Sequence, residues 1–329
     1  MQAVLGKVGV GPSKVLHDLS GKTALVTGGA QGIGYEVAKA FSSVNARVIM
    51  VNRKEEQGTA AVKAIKDEMG AGANVEWVHC DFGNLKEVQS VFTKIREKED
   101  KLDLLVMAAG IGANKFALTE DGLDRLFEVN WLGQYYATNI LYPLIRKTSM
   151  MPAASPPRIM MLTSELYRTA PSNIRFESID EINDEKLGPN ELYARSKLAV
   201  ILGIKYGLFE RVIKKNGDNV FAMAIYPGTV KTEMQKQWKE AYPGVTGKLL
   251  QLAAGAISRS PEQGAFSTLY AATSPEIEEK QWNGAYILEP GQLGKENSQV
   301  NPELGANLWD LSQKIIKQKV GENAFVEWK

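Results

Sequence analysis

The most constraining feature of the sequence is a repeated alternation of short apolar runs with helical segments, the first pair joined by a glycine cluster. Residues 22–27 (KTALVT) form an apolar run, 28–34 (GGAQGIG) a glycine-rich turn and 35–44 a helix. Further runs at 47–51, 75–79, 102–107, 158–162 and 220–225 alternate with helices at 55–69, 85–98, 121–146 and 192–215. Strands that are apolar throughout are buried on both faces, and the intervening helices supply the cover. The fold class this predicts is α/β: a single doubly wound Rossmann-type domain with a parallel sheet of about seven strands.

A chain of 329 residues has room for two domains. No Pro/Gly linker separates two comparable halves, so one domain over 18–329, after an N-terminal extension at 1–17, is expected. Within it, 147–157 reads as a surface loop and 165–190 as an insertion. Residues 231–259 read as a helix pair and 302–319 as a C-terminal helix.

Charge and cysteine usage narrow the functions. Lys and Arg total 39 against 38 for Asp and Glu, a net charge of +1. Nucleic-acid binding through bulk charge is therefore not expected. Cys80 is the only cysteine, so no intramolecular disulfide forms, and with His17 and His79 it makes a poor zinc set. It reads as a small buried residue at a strand end. No segment reaches the ~18–20 apolar residues of a membrane span, and no secretory, peroxisomal or ER-retention pattern is seen. A cytoplasmic protein without metal is the expectation.

The chemistry begins at Gly28, Gly32 and Gly34. Glycines between a strand and a helix let the backbone approach a pyrophosphate, while the helix N-terminus offers N–H groups and partial positive charge. Their order, G-x-x-x-G-x-G after a threonine, resembles the short-chain dehydrogenase/reductase family. Further motifs carry that resemblance over roughly residues 18–292: Asp81 after the third strand, Ala108-Ala109-Gly110 where the family has NAG, Asn130, Ser164, Tyr193-x-x-x-Lys197, and Pro227-Gly228-Thr229-Val230-Lys231-Thr232. The segment from Leu162 to Tyr167, the long insertion before Tyr193 and the run Arg195-Ser196-Lys197-Leu198 are similar to fungal members of a retinol-dehydrogenase-like branch. Two positions depart from the pattern. Ala108 stands for the usual Asn, and Tyr167 for a His, which puts any role borrowed from that His in doubt.

The resemblance implies a catalytic set of Asn130, Ser164, Tyr193 and Lys197. It also implies cofactor contacts at Gly28, Gln31, Gly32, Ile33, Gly34, Asn52, Arg53, Asp81, Phe82, Ala109, Gly110, Tyr193, Lys197, Pro227, Gly228, Val230 and Thr232. In the family, Asn130 would anchor a water that relays protons to the lysine, and Lys197 would hold the nicotinamide ribose. The residues argue the chemistry independently. A ketone receiving hydride needs a proton, and free tyrosine, with pKa ~10, exchanges one poorly near neutrality. Lys197, four residues on, shares a helical face with Tyr193 and is expected to favour its phenolate. Ser164 can donate a hydrogen bond to the carbonyl oxygen.

Asn52-Arg53 follows the second strand, where a carboxylate would bind the ribose of NAD. Arg53 is then available to the 2′-phosphate of NADP, with no acid there to repel it; a solvated surface arginine is the other reading. Met234, Trp238, Tyr242, Leu249 and Leu250 either close over an apolar substrate or bury a helix pair. The expected activity is an NADP-dependent interconversion of a small apolar carbonyl compound, ketone or aldehyde, and its alcohol. A silent NADP sensor or scaffold on the same fold is the alternative. The apolar circumference of 130–146 and 193–215 fits either a homodimer, as the family implies, or burial within the chain.

Overall fold

The computed structural model describes residues 16–152, 155–230 and 259–328. Strand β1 (Thr23–Thr27) is buried along its whole length. It pairs in parallel with β2 (Arg47–Asn52) on one side and β4 (Leu104–Met107) on the other. The remaining strands are β3 (Val75–His79), β5 (Arg158–Leu162), β6 (Phe221–Ile225), β7 (Tyr286–Glu289) and β8 (Gln292–Leu293). Their order is β3-β2-β1-β4-β5-β6-β7-β8. Among the described residues the sheet thus has eight strands, one more than the sequence suggests. The addition, β8, is two residues turned back antiparallel on β7, too short to leave an apolar run.

Successive side chains of β1 feed opposite cores, as the pleat requires. Ala24 and Val26 join α1 (Gly32–Ser43), α2 (Glu55–Met69) and α6 (Pro261–Thr273) on one face. Leu25 joins α3 (Leu85–Lys98), α4 (Arg125–Ser149), α5 (Pro189–Asn216) and α7 (Pro302–Val320) on the other. The strand order reverses between β1 and β4. Ligands of doubly wound sheets bind in the crevice at that point, outside the C-terminal strand ends.

Two helices differ from the expected boundaries for local reasons. Helix α4 starts at Arg125 because the Asp124 carboxylate caps Phe127 N. It then passes through a π-turn at Glu128–Leu132 before resuming α geometry. Helix α5 carries a longer π segment at Gly203–Ile213. There Gly203 and Gly207 leave grooves for two indoles: a Cβ at Gly203 would lie 1.8 Å from Trp131 Cη2, and one at Gly207 would lie 2.1 Å from Trp309 Cε3.

The apolar circumference of α4 and α5 is covered from within the chain. Helix α7 brings Leu308, Trp309, Ile315 and Ile316, and the following segment brings Phe325 and Trp328. Trp131, Tyr135, Trp309 and Trp328 form one aromatic cluster, with the Tyr135 and Trp309 rings edge to face at 4.8 Å. The Asn139 carboxamide donates to Val326 O (2.8 Å) and accepts from Val326 N (3.0 Å), fixing the register of that segment.

The insertion at 165–190 is packed rather than loose. It contains a 3₁₀ turn (Glu165–Thr169) and a short helix (Ile179–Ile182). Phe176, at a φ of +56°, is fully buried and stacks on Phe127. Truncating Trp309 to Ala should cost about 3–5 kcal/mol. Urea unfolding should show a lower midpoint, and size-exclusion chromatography should show association of the uncovered α4–α5 face. An unchanged midpoint would remove α7 from the stabilising core.

Candidate active site

The glycine turn after β1 is shaped by close backbone approach. Gly28 has φ +67°, and a Cβ there would sit 2.9 Å from Ala109 N; one at Gly34 would sit 2.4 Å from Gly28 O. Gln31 occupies the N-cap of α1 without a side-chain capping bond, so the N–H groups of the first turn have no cap acceptor. Gly32 and Ile33 are partly exposed in that turn, while Gly34 is buried.

The end of β4 shows how the chain manages without the family's asparagine at Ala108. Thr27 Oγ1 accepts from Ala109 N (3.0 Å) and donates to Gln134 Oε1 (3.0 Å). Gln134 Nε2 donates to Ala109 O (3.0 Å). Both peptide groups of Ala109 are therefore satisfied, from β1 and α4. Gln134 escaped the sequence reading; the only signal was a polar amide within an apolar helix.

Asn130 lies in the π-turn. Its Nδ2 donates to Ile111 O (3.0 Å) and Ser196 Oγ (2.9 Å), and its Oδ1 accepts from Ile111 N (2.8 Å). Ser196 Oγ in turn donates to Tyr193 O (2.7 Å). Asn130 thus links the chain after β4 to the helix that carries Tyr193 and Lys197. Gly110 lies beside it; a Cβ there would be 3.1 Å from Asn130 Oδ1 and 3.5 Å from Lys197 Nζ.

Helix α5 is tied to β5 through Lys197. Its Nζ donates to Leu162 O (3.1 Å), and its carbonyl accepts from Thr163 Oγ1 (2.8 Å). Ser164 caps the 3₁₀ turn, accepting from Leu166 N (3.2 Å), and hydrogen-bonds to the Tyr193 side chain. Lys197 Nζ is 5.7 Å from the Tyr193 ring centroid. The structure therefore brings Asn130, Ser164, Tyr193 and Lys197 together.

The electrostatics differ from the expectation that Lys197 lowers the Tyr193 pKa. Burial dominates instead and pushes the phenol up to about 12, with the Ser164 hydrogen bond pulling the other way and Tyr226 adding to the rise. Burial also pulls Lys197 down to about 8. Neither side chain contributes to the other's shift; the loss of water around each sets the direction of both. At neutral pH Tyr193 is a phenol with a proton to give.

On the adenosine side, Arg53 is exposed and pairs with Asp81, Nη1 to Oδ2 at 3.2 Å. The sequence placed no acid next to Arg53, but the fold supplies one from the end of β3. Asp81 Oδ1 also accepts from Gly83 N (2.9 Å), and Asn52 Nδ2 donates to Lys54 O (3.0 Å). Phe82 is buried against Phe92, so its side chain serves the core rather than a cofactor face. Pro227 is buried; Gly228 (φ +84°) and Val230 are partly exposed beyond β6. Thr232, Met234, Trp238, Tyr242, Leu249 and Leu250, with the suggested substrate cover, lie outside the described residues.

Tyr167 is fully buried; its hydroxyl accepts from Asn297 N (3.3 Å) and its ring meets Tyr286 edge-on. That is a packing role. Burial also pushes the Cys80 thiol up, away from reactive range. No group of three or more metal-ligating side chains occurs among the described residues.

The sequence marks Arg195 only as part of the Arg195–Leu198 run and does not show its role. Arg195 is fully buried between Tyr193 and Lys197 and donates to Asp124 Oδ2 (3.2 Å), Glu181 O (2.8 Å) and Ile182 O (2.6 Å). It thereby joins α5, the cap of α4 and the insertion. Its signal was a charged residue within an apolar helical run.

The short chain dehydrogenase family matches residues 22–165. The chain is 34% identical to an oxidoreductase of Neurospora crassa, bli-4, described as mitochondrial, over 92% of this chain and 73% of that one. It is 28% identical to mouse retinol dehydrogenase 14, over 94% of this chain and 89% of the other. A crystal structure of an uncharacterised protein from Mycobacterium paratuberculosis superposes with a TM-score of 0.67 at 24% identity, covering 93% of this chain and 97% of that one. The chain belongs to the short-chain dehydrogenase/reductase family, on its retinol-dehydrogenase-like side. It is an NAD(P)-dependent dehydrogenase/reductase.

Glu128, at the head of the π-turn, is fully buried; its carboxylate accepts from Thr119 Oγ1 and faces Asp121, with Asp81 nearby. Burial, with the two acids, raises its pKa to about 9. The folded pKa lies above the unfolded one, so stability is fully present below ~4.5 and falls as pH rises towards 9, because the unfolded carboxyl ionises while the buried one still holds its proton. Glu128→Gln should therefore flatten the loss of thermal stability between these limits and raise Tm at pH ~8 by roughly 2–4 °C or more. Parallel Tm–pH profiles for the two proteins would contradict the assignment.

Proposed function

We propose that the protein is an NADP-dependent oxidoreductase interconverting a small apolar ketone or aldehyde and its alcohol, with Tyr193 as proton donor and acceptor. The observation that carries this is the convergence of a protonated Tyr193, hydrogen-bonded to Ser164, with the buried Lys197 at the C-terminal end of β5. The cofactor fits the residues present. The uncapped first turn of α1, the glycine contact beside Ala109 and the small space at Gly110 suit a pyrophosphate and nicotinamide, and the buried Lys197 ammonium donates to a neutral acceptor, the Leu162 carbonyl.

Bound there, the nicotinamide supplies or removes the hydride. The Tyr193 hydroxyl gives its proton to the carbonyl oxygen as charge develops on it, and the Ser164 hydroxyl donates a second hydrogen bond to that oxygen. The charge on Lys197 steadies the phenolate left behind. Asn130 positions Ile111 and Ser196 around this group, and the water relay expected of it would start here.

The substrate class rests on an apolar wall around Tyr193. Ala113, Leu126 and Leu192 form one cluster with Tyr193, and Ile111 and Phe116 after β4, Leu166 after β5 and Leu187 just before α5 pack against it. Ile111, Phe116, Leu166 and Leu187 remain partly exposed, a surface suited to hydrocarbon next to the carbonyl. No described helix is long and apolar enough to cross a membrane, and a cytoplasmic location remains the proposal. Packing of α7 over α4 and α5 supports burial within the chain as the reading of those faces, with a homodimer the alternative.

Tyr193→Phe removes the hydroxyl and keeps the ring. Turnover of apolar ketones should fall by at least about 100-fold, the lower range for a positioned proton donor, while NADPH affinity stays near normal. Wild-type-like turnover, or NADPH binding by the wild type without reduction of any carbonyl in a broad panel, would refute the reading.

Arg53 is the proposed selector of NADP over NAD. The 2′-phosphate has to draw the guanidinium from Asp81, so the net gain is about one charge-assisted hydrogen bond, roughly 1.5 kcal/mol. Arg53→Ala should weaken NADPH about tenfold and leave NADH unchanged, with the difference shrinking at high salt. Equal kcat/KM for NADPH and NADH in the wild type would rule the preference out.

A further inference from the structure

We propose that Arg259 is a positioning residue that clamps the cofactor loop Pro227–Val230. The inference rests on the cofactor reading above and concerns a residue that no sequence motif singles out. Three kinds of contact converge on that loop. Arg259 N donates to Thr229 O (2.8 Å), and Val230 and Arg259 form a parallel β-bridge. The Arg259 side chain lies against Gly228: a Cβ on that glycine would be 2.9 Å from Nη1, 3.0 Å from Cδ and 3.2 Å from Cζ. Arg259 Nη2 also pairs with Glu289, the last residue of β7.

Among the described residues the loop is tied to the sheet at its start, and Val230 packs beside Gly264 of α6. The loop leaves β6 at Ile225, and Tyr226 N donates to Ile287 O of β7 (2.9 Å). Beyond that bond the chain turns at Gly228 with φ +84°, a conformation glycine adopts freely and therefore also leaves freely. Arg259 removes that freedom by occupying the face of Gly228 that a side chain would fill, while Glu289 fixes the guanidinium to the sheet. The side chain thus acts on the cofactor through Gly228 and not by contact with the reacting atoms.

The same arrangement predicts which half of the cofactor feels the clamp. The loop follows β6, on the side of β4 away from Arg53 and Asp81, which follow β2 and β3. Loss of the clamp should weaken ligands that carry nicotinamide and spare those that carry only the adenosine half. This separates Arg259 from Arg53, whose loss should affect 2′-phosphate ligands alone.

The experiment measures dissociation constants by fluorescence titration for NADPH, NADH and 2′,5′-ADP, in the wild type, Arg259→Met, Arg259→Lys and Glu289→Gln. Arg259→Met should raise the constants for NADPH and NADH together by about tenfold, the cost of refixing roughly one residue's backbone. It should leave 2′,5′-ADP unchanged and the Tm of the ligand-free protein close to wild type. Glu289→Gln should give the same pattern more weakly, and Arg259→Lys should restore only part, since an ammonium has no second nitrogen to cover Gly228 while another pairs with Glu289. Unchanged NADPH affinity in Arg259→Met overturns the clamp and leaves the cofactor reading standing. An equal loss for all three ligands, with a lowered Tm, also overturns it, because that is the mark of general damage. A wild type that binds neither NADPH nor NADH overturns the cofactor reading and the clamp with it.

Discussion

The buried ion pair of Arg195 and Asp124 is the constraint on which the catalytic side of the molecule depends. Both side chains are fully buried, and each depends on the other for compensation. Asp124 also starts α4, and Arg195 also takes two carbonyls of the insertion. Removing either partner would leave a charge in the core, which is worth several times the loss of a surface pair. The pair therefore sets the start of α4, the seat of the insertion and the placement of the Tyr193 turn together. A hydrophobic pair could fill the same volume, but it would not dictate which carbonyls sit beneath α5.

Around that anchor, the site is built from amides more than from charges. Asn130 and Gln134 each bridge the chain after β4 to something behind it, one to α5 and the other to β1. Carboxamides suit this work because each presents a donor and an acceptor in fixed relation and adds no charge to the core. The two ionisable groups left, Tyr193 and Lys197, are both pushed by burial towards their neutral forms. The result is a site in which the arriving ligand, and not the resting protein, settles where charge resides.

The legible part of this structure was the part written in periodicity and glycine. The continuous apolar strands, the turn at Gly28–Gly34 and the order of Ser164, Tyr193 and Lys197 specify local geometry directly, and the fold follows them. The parts that could not be read depend on contacts between distant residues. Gln134 and Arg195 look like polar lapses in apolar helices until β4 and the insertion are brought against them. The Arg53–Asp81 pair joins the ends of two strands, and nothing in either local sequence announces it. Strand β8 is two residues long and exists only because β7 lies beside it. The upward direction of the Tyr193 shift is not legible either, because helical spacing places a lysine near a phenol but says nothing of how much water both have lost.

The aromatic seam under α7 has a consequence for how the chain is made. Gly203 and Gly207 keep their grooves for Trp131 and Trp309, one from upstream in the sequence and the other from far downstream. During synthesis α4 and α5 emerge well before Trp309 and Trp328 do. Until these arrive, the greasiest faces of the two helices are left uncovered, at the stage when partly folded chains are most prone to stick to one another. The late segment is thus a closing seal, and the nascent protein should depend on chaperone holding for longer than a relative whose core closes in the order in which it is translated.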